Sequence, residues 1–204
     1  NPWNLPTRLN IANRVKALFP RSHSKKRNAT VEIWPIDDKP IVPLEQNDMP
    51  AIFLTHNDRR MMPSFLKHYR NMGVTRFICM DDQSDDGTWE YLALQSDVDV
   101  FQSNVRYSVA NRGKAWREML AEIYGKKRWY LNLDSDEYLF TGQENKMSVL
   151  EYANLLQAHG VFRLPAPMID MVPAGDLIDA HHDGSDETMP WQIASHFDAD
   201  EYMG

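Results

Sequence analysis

The sequence has a single cysteine, Cys79, and no apolar run long enough to cross a bilayer. One thiol cannot form a disulfide within the chain, so nothing in the sequence requires an oxidising compartment. A bilayer-spanning helix needs about 20 consecutive apolar residues, and no stretch approaches that length. No secretory signal pattern opens the chain. We therefore expect a soluble, cytoplasmic protein.

The sequence also lacks the glycine-rich motifs of the commonest nucleotide-binding folds. It contains no Gly-x-x-x-x-Gly-Lys-Ser/Thr loop, and no Gly-x-Gly-x-x-Gly follows its first predicted strand. P-loop nucleotidases and dinucleotide-dependent dehydrogenases are thereby disfavoured. The net charge of −7 and the pI of about 5.5 argue against a nucleic-acid partner, which usually requires a basic surface. An acidic protein can still bind a phosphate-bearing ligand when a metal ion supplies positive charge.

The chain divides at about residue 48. Residues 1–48 contain several prolines, the basic run 21–27 and few periodic apolar residues, so we predict an N-terminal extension. Four apolar residues within it have helical spacing, namely Ile11, Val15, Leu18 and Phe19. Such a short amphipathic helix beside a basic loop is a candidate for peripheral membrane contact, and a solvated arm packed on the domain is the alternative.

Residues 49–204 are predicted to form a single α/β domain. Apolar runs typical of strands occur at 51–55, 76–80, 98–101, 129–133 and 161–164. They alternate with amphipathic helices, which is typical of a mostly parallel sheet flanked by helices. A capping box, Ser148-Val-Leu-Glu151, begins one helix, and Gly160 ends it. Because the chain begins with Asn1 and not Met, we expect a fragment or a processed chain. A truncated C-terminus is a separate expectation, in which the chain ends before the elements that bind the acceptor are complete.

Polar side chains follow three of the predicted strands. Asp134-Ser-Asp136-Glu137 and Asp81–Asp86 are acidic, and His56–Arg59 follows the first strand. Because the carboxyl ends of parallel strands lie along one edge of a sheet, we expect these segments to converge. Clustered carboxylates favour a hard divalent ion, Mg²⁺ or Mn²⁺, which would hold a phosphate-bearing ligand. The alternative is a solvated acidic loop that caps a strand.

Three segments, in this order, resemble those of a glycosyltransferase family. They are Leu54-Thr-His-Asn-Asp58, Met80-Asp-Asp-Gln-Ser-Asp-Asp-Gly-Thr88 and Leu133-Asp-Ser-Asp-Glu137. The run from about 51 to 140 is similar to the nucleotide-binding half of GT-A-fold glycosyltransferases of the family 2 type, in the branch with a Thr-x-Asn-Asp/Glu start and an Asp-x-Asp-Glu end. Gln83 stands where the family usually has glycine, which changes the turn more than the chemistry. Residues 141–204 match loosely, and 1–48 do not match.

The resemblance implies a GT-A-like, Rossmann-like fold and an inverting, metal-dependent transfer of a sugar from a nucleotide sugar. The donor would be UDP-, GDP- or TDP-linked, and the acceptor hydroxyl would belong to a glycan, a lipid-linked molecule or a protein. Asp82 would hydrogen-bond the base, commonly uracil, and Asp58 would lie near the ribose or base. Asp134 and Asp136 would flank the diphosphate, both touching Mn²⁺ or Mg²⁺, with Asp136 the stronger metal ligand. Further donor contacts would come from Thr55, Asn57, Arg112 and Lys114.

Each of these residues has a structural alternative. Asp82 can cap a turn, Asp58 can cap a helix, and Arg112 and Lys114 can be solvated charges at a helix start. The general base that inversion requires stays open, with Asp170, Asp198 and Glu137 as the first candidates. The other acids considered are Asp176, Asp179, Asp183 and Glu201, and the histidines that could add a metal ligand are His181, His182 and His196.

Two other functions remain open. One is a non-catalytic domain that binds a nucleotide sugar or a glycan and lacks the general base. The other is a metal-dependent nucleotidyltransferase, which would normally carry a glycine-rich basic loop after the first strand. The segment Thr55-His-Asn-Asp-Arg-Arg60 has basic residues but no glycine.

Overall fold

The protein, seen in a computed structural model, is described over residues 30–37, 39–143 and 146–198. Its strands are β1 (Ile33–Pro35), β2 (Pro50–Thr55), β3 (Arg76–Asp81), β4 (Val98–Ser103) and β5 (Leu131–Asp134). Its α-helices are α1 (Met62–Asn71), α2 (Thr88–Ala93), α3 (Lys114–Tyr124), α4 (Val149–Ala158) and α5 (Pro190–Ile193), and Leu177–Asp179 form a 3-10 helix. The predicted α/β class is confirmed. The predicted helix at 11–19 lies outside the described residues.

The strands form one sheet in the order β1-β4-β3-β2-β5. β4, β3, β2 and β5 run parallel, whereas β1 pairs antiparallel with β4. The register sets Thr55 beside Asp81 and Leu54 beside Asp134, so β2, β3 and β5 end at the same edge. The mostly parallel sheet is therefore confirmed, and the three strand ends meet as predicted.

The chain groups into two compact units that interleave in sequence. The first consists of the described residues up to Asn57 together with Thr75–Asp134, and it contains the whole sheet, α2 and α3. The second consists of Asp58–Val74 and the described residues from Ser135 onward, with α1, α4 and α5. Two of the three boundaries in sequence, Asn57/Asp58 and Asp134/Ser135, fall within the first and third segments that carry the family resemblance.

The core of the first unit joins α3 to one face of the sheet. Trp116, Met119 and Leu120 are buried at helical spacing on α3, as the apolar pattern predicts. They pack with buried side chains of the strands, including Ile52, Leu54, Ile78, Met80 and Phe101. The cluster fixes where α3 begins relative to the ends of β2 and β3, because the helix cannot slide without opening cavities in this core.

Two strand predictions need correction. Ile33–Pro35 form β1, although residues 1–48 read as an extension; Ile33 is buried, and three residues are too few to show a period of two. Val161–Leu164 form no strand, and Phe162 is 75% exposed. A strand persists only where its backbone groups find a partner, and this apolar run pairs with no strand among the described residues.

The predicted capping box at the start of α4 is confirmed. The Glu151 N–H donates to Ser148 Oγ at 3.3 Å, and the Ser148 N–H donates to Glu151 Oε2 at 2.7 Å. The Ser148 N–H and the Ser148 hydroxyl both donate to Glu151 Oε2, which favours the ionised carboxylate and lowers the pKa of Glu151. Gly160, with φ of 76°, follows the end of the helix at Ala158, as predicted.

Replacing Ser148 with alanine should lower the free energy of unfolding by about 1 kcal/mol, because one helix N–H loses its acceptor. Urea unfolding measures the loss, and Ser148→Thr, which keeps the hydroxyl, is the control. Because the pKa of Glu151 is lowered in the folded state, its stabilising contribution is present above the unfolded-state pKa and disappears as the pH falls through the folded-state pKa. The difference in the free energy of unfolding between wild type and Ser148→Ala should therefore become smaller in acid. Equal stabilities of the alanine and threonine variants would contradict the capping role.

Candidate functional site

The candidate site in the first unit is the sheet edge where β2, β3 and β5 end. Asp81 is fully buried there and Asp82 is 8% exposed. The Asp82 N–H donates to the Thr55 carbonyl at 2.9 Å, which continues the β2–β3 ladder and fixes the position of both acids. Asp81 Oδ2 accepts the Ser84 N–H at 3.0 Å, and Asp82 Oδ2 accepts the Tyr107 N–H at 3.3 Å. Two consecutive carboxylates are thus held inside the protein.

The second oxygen of each carboxylate is less well satisfied. Oδ1 of Asp81 and Oδ1 of Asp82 are both buried without a hydrogen-bond partner among the described residues. Asp82 Oδ1 lies 3.2 Å from Arg106 Nε, an ion pair that lacks hydrogen-bond geometry. A buried polar atom without a hydrogen bond is costly. Asp82 Oδ1 is therefore a candidate acceptor for an N–H group of a ligand.

The loops that follow β2 and β3 are bonded to each other. The Asn57 N–H donates to Ser84 Oγ at 2.9 Å, and the Asp85 N–H donates to Asn57 Oδ1 at 2.9 Å. Asn57 and Gln83 have φ values of 59° and 58°, in the left-handed region that residues with a side chain seldom adopt. Such strain persists only where surrounding contacts impose it, and it is common at ligand sites. The tied, strained loops support a binding role for this edge.

Arg106 reaches both loops from the segment between β4 and α3. Its Nη1 donates to Gln83 Oε1 at 3.2 Å, and its Nη2 lies 3.5 Å from His56 Nε2. Together with the contact of Nε with Asp82, the guanidinium bridges the ends of two strands. The sequence did not single out Arg106, although two adjacent acids at a buried strand end signal that a cation lies nearby.

The predicted phosphate contacts flank Gly113 where α3 begins. Asn111 and Arg112 have φ values of 55° and 53°, and Gly113 has 74°, so three consecutive residues are left-handed. Arg112 is exposed, and Lys114 lies 3.9 Å from Glu118 one helical turn later, with 68% of its side chain exposed. Both cations are therefore at the surface of the first unit, Arg112 on the loop that also carries Arg106 and Lys114 at the first position of α3.

Asp134 has a partner that the sequence did not reveal. Arg117 Nη2 donates to Asp134 Oδ1 at 2.5 Å and to the Leu133 carbonyl at 2.8 Å, while its Nη1 donates to the Ile52 carbonyl at 3.2 Å. Arg117 thus fastens α3 to β5 and β2. One oxygen of the predicted metal ligand is engaged in this ion pair, and 45% of the Asp134 side chain is exposed.

The acids that follow Asp134 belong to the second unit. Ser135 is buried, and its hydroxyl donates to Asp58 Oδ2 at 2.5 Å; the N-cap residue of α1 is Met61. Asp136 is exposed. The pKa of Tyr138 is raised to about 12, chiefly by burial; a hydrogen bond with Ser64 lowers it, and the charges of Asp136 and Asp58 raise it. Tyr138 is therefore a neutral hydroxyl near two carboxylates.

The metal ion that the resemblance implies would need most of its ligands from bound phosphates and water. Among the described residues, no group of three or more His, Cys, Asp and Glu side chains is placed to hold a metal ion. Mg²⁺ is often bound through one or two carboxylates, with the remaining ligands from substrate phosphates and water. The exposed Asp136 carboxylate fits this mode. His182 does not, because Nε2 contacts the Thr188 carbonyl at 2.7 Å and Nδ1 accepts the Gly184 N–H at 3.0 Å.

The candidate bases lie mostly in irregular segments of the second unit. Asp170 and Asp198 are exposed, Glu137 is half-buried, and Glu201 lies outside the described residues.

Asp183 accepts the Ser185 N–H and the Thr188 hydroxyl, and these bonds lower the pKa of its carboxyl. A lowered pKa makes a weaker base, so Asp183 is better explained as the organiser of its own turn. Asp170, Asp198 and Glu137 stay predictions.

Comparison with known proteins gives no relative: no family model, no curated protein and no solved structure matches the chain. Across the ranges 30–37, 39–143 and 146–198, no helix has both the length and the apolar character that a membrane span requires. The membrane contact proposed for the N-terminal helix falls on residues that the structure does not describe, and it stays a prediction.

Proposed function

We propose that the protein is a metal-dependent glycosyltransferase that uses a nucleotide sugar as donor. The observation that carries the proposal is Asp82, a buried carboxylate at a parallel strand end with one oxygen lacking a hydrogen bond. An imide N–H, as in uracil, is a suitable donor to such an oxygen, and a hydrogen bond to a charged group contributes about 1.5–3 kcal/mol. The three sequence segments that resemble the family support the same assignment.

The other donor contacts that we propose use side chains of the first unit, together with Asp58 of the second. Arg112 and Lys114, exposed at the start of α3, would bind the diphosphate, whose charge they complement. Thr55 and Asn57 would shape the base and ribose pocket, with Thr55 buried and Asn57 bonded to the β3 loop. In the second unit, Asp58 would contribute near the ribose.

Asp136, assisted by Asp134, would hold Mn²⁺ or Mg²⁺ together with the phosphates. The bound ion would supply Lewis-acid stabilisation of the nucleoside diphosphate that leaves. This chain would also take the proton from the acceptor hydroxyl, with Asp170, Asp198 and Glu137 as candidate bases. The acceptor would be a glycan, a lipid-linked molecule or a protein. The protein itself would be located in the cytoplasm.

Binding of a nucleotide sugar without transfer is the second candidate. One observation favours it: Asp134 Oδ1 is engaged by Arg117, which leaves the Asp-x-Asp pair fewer oxygens for a metal. A metal-dependent nucleotidyltransferase has no structural observation in its favour. Release of nucleoside diphosphate during incubation with a donor distinguishes transfer or hydrolysis from binding alone.

A thermal-shift screen of UDP, GDP, TDP and their sugars, with and without Mn²⁺, tests the proposal. A ligand at 100 times its dissociation constant stabilises the native state by about 2.7 kcal/mol, which is readily measured. We expect a metal-dependent rise in melting temperature with one class of nucleotide, and no rise with inorganic sulfate as the control. The absence of a shift with every nucleotide, on folded protein, would contradict the proposed function.

A further inference from the structure

We propose that Arg106 is a positioning residue that covers Asp82, and that a nucleotide must displace it to reach the carboxylate. The inference rests on the proposed function and adds a regulatory step to the same site. Its basis is the contrast between two side chains of one ion pair: 11% of the Asp82 side chain is exposed, against 47% of the Arg106 side chain. The cation lies on the solvent side of the anion.

Access to Asp82 is the first step of the argument. Oδ1 is the oxygen without a hydrogen bond, yet it has almost no contact with solvent. An incoming base therefore cannot donate to it in this arrangement. Arg106 Nε, 3.2 Å away, is the charged group next to that oxygen, and its side chain is the more exposed of the two partners. Movement of Arg106 would open the approach.

The strength of the cover follows from its other contacts. Arg106 Nη1 donates to Gln83 Oε1 at 3.2 Å, and Nη2 approaches His56 Nε2 at 3.5 Å. Both distances are at the long end for hydrogen bonds, and both partners are exposed. The guanidinium is therefore held over Asp82 by weak contacts from two loops. A ligand that binds Asp82 more strongly than these contacts hold Arg106 would displace the guanidinium.

A closed cover weakens apparent affinity in a calculable way. The apparent dissociation constant equals the intrinsic one divided by the fraction of molecules with the site open. Removing one hydrogen bond from the closed state, which is worth roughly 0.5–1.5 kcal/mol, should raise the open fraction about two- to twelvefold. The gain should appear in the association rate, because the contacts of the bound nucleotide are unchanged.

Gln83 allows the cover to be weakened without changing either member of the ion pair. Gln83→Ala removes the contact with Arg106, and Gln83→Gly removes it while also suiting the left-handed backbone at φ 58°. Both variants should bind UDP, in the presence of Mn²⁺, about two- to twelvefold more tightly than the wild type. Agreement between them assigns the effect to the lost side chain rather than to a freed backbone.

The experiment measures UDP affinity by calorimetry and association rates by stopped flow for the wild type, both Gln83 variants, Arg106→Gln and Lys127→Gln. Lys127 is an exposed cation of the first unit, and its loss should change nothing. Arg106→Gln should give the largest gain in UDP affinity. If that variant does not fold, the affinities of the two Gln83 variants test the proposal. Equal or weaker binding by the Gln83 variants overturns the cover while leaving the proposed function standing. If no protein in the set binds UDP or any nucleotide of the screen, the proposed function fails, and the cover fails with it.

Discussion

Asp82→Asn should lower the affinity for UDP by about 10- to 100-fold and leave the binding of inorganic pyrophosphate almost unchanged. The substitution keeps the size of the side chain but removes its charge, and a hydrogen bond to a charged group is worth about 1.5–3 kcal/mol. An asparagine oxygen can still accept the Tyr107 N–H that now bonds Oδ2, so the β3 loop should survive. The remaining amide nitrogen would face the ligand with a donor where a base N–H needs an acceptor.

Asp85→Asn is the matched control for this prediction. Asp85 is exposed and lies three residues further along the same loop, which it supports through its backbone N–H rather than its carboxylate. The two variants therefore change net charge equally. Calorimetry with UDP and with pyrophosphate separates base recognition from phosphate recognition. Equal weakening of both ligands, or equal losses in both variants, would show that Asp82 acts through general charge and does not read the base.

β2 and β3 could be predicted because these two strands are buried on both faces. Pro50–Thr55 and Arg76–Asp81 appear in the sequence as short apolar runs bounded by polar residues, and their burial leaves few other structures available. Parallel order then brings their polar ends together without further information. The capping box at Ser148 was equally visible, because both of its bonds join residues three positions apart.

Long-range ion pairs could not be predicted in this way. Arg106 and Asp82 are separated by a strand and a helix, and Arg117 meets Asp134 only because α3 packs beside β5. Periodicity reports which face of an element is buried, but it does not report which charge on one element meets which charge on another. The Asp-x-Asp motif therefore indicated metal chemistry, while the arginine that engages its first acid went unseen.

The strand predicted at Val161–Leu164 was wrong for a related reason. Val161–Leu164 has the composition of a strand, but a strand also needs a neighbour whose backbone groups face it. The converse holds for β1. The sequence of Ile33–Pro35 gives little indication of a strand, but these residues form one by pairing with β4. In both cases tertiary partners decided the outcome, so composition alone was a poor guide at the edges of the sheet.

Gly113, which ends the loop before α3, is where backbone geometry and core packing meet. It has φ of 74°, and a Cβ added there would lie 2.2 Å from Leu54 Cδ1 and 3.1 Å from Tyr107 Cε2. Leu54 is 6% exposed and packs in the core of the first unit, so it cannot move aside without disturbing Trp116 and its neighbours. A side chain at this position therefore meets two costs, one from the left-handed backbone and one from overpacking.

Gly113→Ala should lower the free energy of unfolding by about 2–4 kcal/mol, with about 1–2 kcal/mol from the left-handed backbone and the rest from the clash with Leu54. Gly87→Ala is the matched control, because Gly87 also precedes a helix with φ of 89° but has no atom within 4 Å of an added Cβ. Urea unfolding of both variants isolates the packing cost as their difference. Equal losses of unfolding free energy in the two variants would mean that the core accommodates the new methyl group. A larger loss for Gly113→Ala would show that close contact with the end of β2 holds the segment 106–114, which carries Arg106, Arg112 and Lys114.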